Sequence, residues 1–184
     1  MDMLTLKDKK TLLRIARSAI ENYLRDEKVE EEFHLTEALH ATCGAFVTIK
    51  NKGRLRGCIG LISSDQPLYK TVEEMAVSAA TRDTRFEPVS LKELPKIDLE
   101  ISVLSPFRSI NDISEIEVGK HGLFIIRSPF QGLLLPQVAT ENNWNRQTFL
   151  EHTCLKAGLP AQTWKEEGTT IQIFSAEVFG EKDL

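Results

Sequence analysis

Two runs of alternating residues meet at Asn51-Lys52-Gly53, and that junction constrains the fold more than any other segment. Ala45, Val47 and Ile49 alternate with Phe46, Thr48 and Lys50 on the way in, and Arg54 to Leu61 forms the return. Period two is the spacing of a strand whose neighbours point to opposite faces. A glycine-containing junction of this kind supplies the backbone of a tight hairpin, so the chain commits early to antiparallel pairing. On strict alternation Arg54, Arg56, Cys58 and Gly60 share one face, and Leu55, Gly57, Ile59 and Leu61 the other. Cations beside a thiol favour its charged, nucleophilic form. Cys58 also lies between Gly57 and Gly60 in the run LRGCIG, where missing side chains leave the backbone open to close approach. A small cysteine filling core space beside glycines is the alternative reading of the same residues.

Helical spacing marks a first helix over about Thr5 to Leu24, with Leu13, Ala16, Ile20 and Tyr23 on one stripe and Thr5 and Asp8 placed as a capping box. The acidic stretch from Arg25 to Glu32 reads as an exposed connector, and a short helical or irregular piece follows near Thr36 to Thr42. Pro67 can open a second helix that carries Leu68, Val72, Met75, Ala76 and Ala79 through Ala80. Residues 97–104 alternate as a strand. After Pro106 a loop is expected, then a second hairpin from Leu123–Ile126 and Leu133–Leu135. A helix over Asn145 to Ala157 ends at Gly158, and a final strand holds Ile171, Ile173, Ser175, Glu177 and Phe179 in one phase. Two hairpins and three long helices predict an α+β fold with a mixed, largely antiparallel sheet and flanking helices, rather than a doubly wound parallel sheet. One domain over 1–184 is expected, with residues around 25–42 and 106–122 forming a smaller lobe or rim beside it.

The 184 residues, 41% hydrophobic and 27% charged, suit one ordered core. A net charge of −4 provides no global field for nucleic acid or anionic lipid. No apolar run approaches the roughly 20 residues of a spanning helix, and the polar start lacks a secretory signal's apolar stretch. Cys43, Cys58 and Cys154 are odd in number and widely spaced, which favours free thiols and a cytoplasmic location. No HExxH, phosphate loop, GxSxG or GxGxxG occurs, so neither a metal nor a cofactor is predicted in this chain.

Three further groups carry candidate chemistry. In TRDTRFEP, Asp83 can orient Arg85, whose planar fork suits a carboxylate or phosphate, or the two can brace the loop with Phe86 as packing anchor. His121, in GKHG, can move a proton or serve as a structural hydrogen-bond residue. In LLLPQVATENNW, Gln137, Asn142 and Asn143 can recognise a polar group and Trp144 can cover a ligand; the favoured alternative is a strand end at Pro136, a polar turn and a packing tryptophan. Glu73 and Glu74 read as solvated helix residues.

The order GAFVTIKNKGRLRGCIG, DTRFEPV, LEISVLSP, GKHGLFI, GLLLPQV, NNWNRQTFLEHTCLKAGLP and the late Trp164 resembles the AMME chromosomal-region (AMMECR) protein family, component A of the AmmeMemoRadiSam system, over about residues 5–180. The resemblance implies a mixed fold with a larger and a smaller subdomain flanking a cleft. It implies family positions at Arg56, Gly57, Cys58 and Gly60, at Asp83, Arg85 and Phe86, at His121, at Pro136 and Gln137, and at Lys156. It also implies Memo-like and radical-SAM-like partners, with any cluster or S-adenosylmethionine belonging to the partner. Residues and resemblance together give a cysteine-dependent enzyme or enzyme accessory in a modification or redox pathway. Cys58 and His121 are its catalytic candidates, and Arg56, Asp83, Arg85 and Gln137 are the candidates for holding a small anionic substrate. The alternative is a noncatalytic module that presents a substrate or assembles partners.

Overall fold

The structure, a computed structural model, describes residues 4–27, 29 and 31–184; Met1 to Met3, and Lys28 and Glu30 of the acidic connector, lie outside the described residues. Helix α1 (Leu6–Arg25) starts at Thr5, whose hydroxyl accepts the Asp8 N–H while the Asp8 carboxylate accepts the Thr5 N–H, the reciprocal capping box expected. A one-turn helix α2 (Glu37–His40) precedes β1 (Ala45–Asn51) and β2 (Arg54–Leu61). Lys52 and Gly53 join these strands with φ of 51° and 76°, the left-handed pair that lets a two-residue loop follow the twist of a hairpin. Then come α3 (Leu68–Thr81), β3 (Ile97–Leu104), β4 (Arg108–Ile110), β5 (His121–Arg127), β6 (Phe130–Leu134), α4 (Pro136–Glu141), α5 (Arg146–Lys156) and β7 (Thr170–Gly180).

The fold is α+β, with antiparallel pairing throughout the registers of β1–β2, β1–β3, β4–β7, β5–β6 and β5–β7. The chain divides into two compact units, one from the described residues of Met1–Leu104 with Glu177–Leu184, the other Ser105–Ala176. In the first, β2, β1 and β3 pair in that order. Val47, Ile49, Leu99 and Ile101 bury one sheet face against Leu12, Ala16 and Ile20 of α1 and Val72, Ala76 and Ala79 of α3. Each large side chain removed from water this way contributes about 1.5–3 kcal/mol. The second unit packs Leu123, Ile125 and Ile173 against Phe149, Leu150 and Cys154 of α5.

Three expectations need correction. Residues 136–141 are not a turn after a strand; they form α4, with Pro136 in the first helical turn, where its missing N–H costs nothing. The segment after Pro106 includes β4, a three-residue strand stabilised by pairing with β7 that has too little length to show a period. Residues 25–42 and 106–122 do not share a lobe, because the first stretch belongs to the first unit and the second to the other.

Candidate functional site

Cys58 reaches its position through an irregularity in β2. Leu55 pairs with Lys50 and Gly57 with Ile49, so Arg56 is a surplus residue, a β-bulge. The bulge shifts the alternation by one, which corrects the face assignment. Leu55 joins Cys58 and Thr48, whereas Arg54, paired with Asn51, takes the face of Ile49. The core face remains tight at Gly57, where a Cβ would stand 2.2 Å from the Ala79 carbonyl oxygen of α3.

β2 is an edge strand, and its free edge is closed locally by the loop after α3. The Cys58 N–H donates to Asp83 Oδ2 at 2.8 Å, and Arg85 Nη2 donates to the Cys58 carbonyl at 3.3 Å. Because both main-chain groups of Cys58 point outward, Cys58 and Thr48 form a non-hydrogen-bonded pair, the kind that brings side chains closest. The Thr48 hydroxyl accordingly donates to Cys58 Sγ at 3.3 Å. Among the described residues it is the thiol's only hydrogen-bond partner. Cys58 is partly open, whereas Cys43 and Cys154 are buried, and burial pushes their thiols up.

Asp83 organises this edge. Its buried carboxylate also accepts Arg85 Nε at 2.9 Å, Arg85 Nη2 at 2.7 Å and the Arg85 N–H at 3.2 Å. The Arg85 guanidinium bonds, opposed by burial and aided by the Cys58 and Arg85 amides, hold Asp83 far below the usual carboxylate range. Arg85 is raised in turn by Asp83, with burial opposing. Its side chain is 56% exposed.

Arg56 points its donors elsewhere. Nε and Nη2 bond Glu93 at 2.9 and 3.2 Å, and Nη1 and Nη2 bond the carbonyls of Glu87 and Pro88 at 2.8 and 3.3 Å. The fork fastens the 87–93 segment to the bulge.

Sequence reasoning passed over the rest of the Cys58 face. Thr48 lies opposite Glu100 as well as Cys58, Lys50 pairs with Glu100 at 2.7 Å, and the Phe46 ring lies against Gly60, where a Cβ would meet it at 2.3 Å. The even positions of β1 carried this signal. A groove of about 1400 Å³ elsewhere in the first unit, lined by residues such as Tyr23, Glu32, Tyr69 and Glu73, contains none of these side chains.

The other two candidates lie in the second unit. His121 begins β5, and its Nδ1 accepts the Glu117 N–H at 3.1 Å, which leaves the neutral ring's proton on Nε2. Burial lowers its pKa, with Glu117 opposing. Gln137 follows Pro136 in α4, and its main-chain carbonyl accepts the Thr140 hydroxyl at 2.9 Å. Trp144 stacks on His152 at 3.9 Å, which gives the tryptophan a packing partner. Among the described residues no group of three or more His, Cys, Asp or Glu side chains is arranged to hold a metal ion. No described helix is long and apolar enough to cross a membrane.

Comparisons with known proteins agree over nearly the whole chain. The AMMECR1 family profile matches residues 13–179. Protein MK0488 of Methanopyrus kandleri is 41% identical over 99% of this chain and 92% of its own length. Protein MJ0810 of Methanocaldococcus jannaschii is 41% identical over 98% and 94%. The crystal structure of the uncharacterised protein PH0010 from Pyrococcus horikoshii superposes with a TM-score of 0.83 at 38% identity, covering 94% of this chain and 90% of that one.

Proposed function

The chain belongs to the AMMECR1 family, and on that premise we propose that it is a single AMMECR-type domain serving as component A of the AmmeMemoRadiSam system in the cytoplasm. In this role it is a thiol-dependent enzyme or enzyme accessory in a modification or redox pathway. It takes a small anionic substrate and works beside Memo-like and radical-SAM-like proteins. Cys58 is the substrate-contacting thiol. Arg85 holds the anion, and Asp83 holds Arg85. In the second unit, His121 is the candidate for proton transfer and Gln137 the candidate for polar recognition. Arg56 acts through the loop it fastens rather than through the thiol.

One observation carries this proposal. Asp83 bonds both the Cys58 amide and two arms of the Arg85 guanidinium, so a partly open thiol and an exposed cation are fixed to the same stretch of strand. Competitive alkylation tests it. Cys58 is expected to react before Cys43 and Cys154, and to favour anionic iodoacetate over neutral iodoacetamide, relative to a free thiol. Arg85→Ala is expected to lower the iodoacetate rate about tenfold more than the iodoacetamide rate, the equivalent of one charge-assisted bond. A Cys58 no more reactive than the two buried thiols would overturn the proposal.

A second reading has its own support. Thr48 is the single hydrogen-bond partner of Sγ among the described residues, and a hydroxyl donor is not a general base. A noncatalytic module that presents a substrate or assembles the two partners needs no base. Full partner binding and pathway output by Cys58→Ser would favour it.

A further inference from the structure

The free edge of β2 continues past the part that Asp83 and Arg85 close. Cys58 and Gly60 occupy alternate pairs of one unbroken register, opposite Thr48 and Phe46, with the Ile59–Val47 pair between them. The main-chain groups of Gly60 therefore point outward like those of Cys58. The Cys58 N–H has Asp83 as acceptor, whereas the Gly60 N–H has none among the described residues. Arg85 is likewise half used. Nε and Nη2 serve Asp83 and the Cys58 carbonyl, and the two N–H groups of Nη1 have no acceptor among the described residues.

We propose that Arg85 Nη1 and the Gly60 N–H together bind a carboxylate at the edge of β2, with the carbon skeleton of its owner lying over Phe46 toward Cys58. Gly60 is two residues beyond Cys58, whose carbonyl Arg85 grips, a rise of about 6.7 Å between equivalent atoms. A carboxylate accepting one bond of about 2.9 Å at each oxygen spans that interval. Charge selects the class of anion. Asp83 already offsets one positive charge at Arg85, and Arg56 is spent on Glu93 and two carbonyls, so a planar monoanion suits the site better than a phosphate dianion. Shape selects the owner. The Phe46 ring lies against Gly60 on the face that also carries the thiol, and this gives an apolar floor to a short carbon chain.

This site rests on the thiol proposal for its purpose, but the binding itself does not need a reactive sulfur. Titration of the full ¹⁵N-labelled chain with sodium butyrate, and with inorganic phosphate at equal ionic strength, tests it by NMR. Butyrate is expected to shift the Gly60 amide and the Arg85 side-chain signal saturably, with a dissociation constant on the order of 1 mM. Arg85→Lys, which keeps the charge and removes the fork, is expected to weaken binding about tenfold. An acetylated dialanine with a free C-terminus separates a peptide terminus from a free acid, and its amide is expected not to bind. Equal shifts with phosphate, equal binding of the amide, or an unmoved Gly60 amide would each overturn the site. An iodoacetate preference that persists with an unmoved Gly60 keeps the thiol proposal and discards the carboxylate site. Butyrate binding beside an unreactive Cys58 does the reverse.

Discussion

Asp83 is the residue on which the edge of β2 depends. Its carboxylate replaces the strand partner that Cys58 lacks and also sets the angle of Arg85. Removing it leaves a main-chain donor without an acceptor, so Asp83→Ala is expected to cost about 1–3 kcal/mol, read from the urea midpoint at pH 7. The same group imposes a pH dependence. Its folded pKa lies below the unfolded value of about 3.9, so its stabilisation is complete above about pH 5 and is lost as pH falls from there. Asp83→Asn is expected to flatten that acid limb, and an unchanged slope between pH 5 and pH 3 would show that other carboxylates control it. His121 has the opposite protonation chemistry but the same sign. Burial disfavours its cation, so its contribution also declines as pH falls through the unfolded value, about 6.5.

Among the elements, the bulge divides labour within β2. Gly57 seats the strand on α3, Cys58 faces the open side, and Arg56 leaves the ladder to grip residues 87–93. Arg56→Ala is expected to speed hydrogen exchange at Val89, whose amide bonds the Ala80 carbonyl, by about tenfold without global unfolding. Exchange as slow as in the parent chain would assign the loop's order to Val89 burial alone. The hairpin, α1, α3 and α5 were legible because each contains enough residues to display its period. α4 and β4 were not, since six and three residues cannot, and pairing or packing elsewhere stabilises them. Cys58, Asp83 and Arg85 were legible as chemistry. The separation of Arg54 from Cys58 was hidden, because one unpaired residue reverses a strict alternation and leaves no local mark in the sequence.

Across the whole molecule, the chain returns to its first unit after completing the second. Residues 177–184 bring Phe179 into the first core, 3% exposed, and Glu181 to Arg17 at 2.5 Å and to the Leu99 amide at 2.9 Å. Phe179→Ala is therefore expected to destabilise the first unit by about 3–5 kcal/mol, followed by exchange at core amides such as Val47 and Ile101. A loss below about 1 kcal/mol would show that the neighbouring side chains close the cavity. Such long-range closure could not be read from periodicity, which reports local geometry alone. The unpaired rung at position 56 has one more consequence. The thiol takes its orientation from the rungs beyond it, Ile49 with Gly57 and Thr48 with Cys58. A different side chain at that surplus seat therefore leaves the sulfur facing the same way.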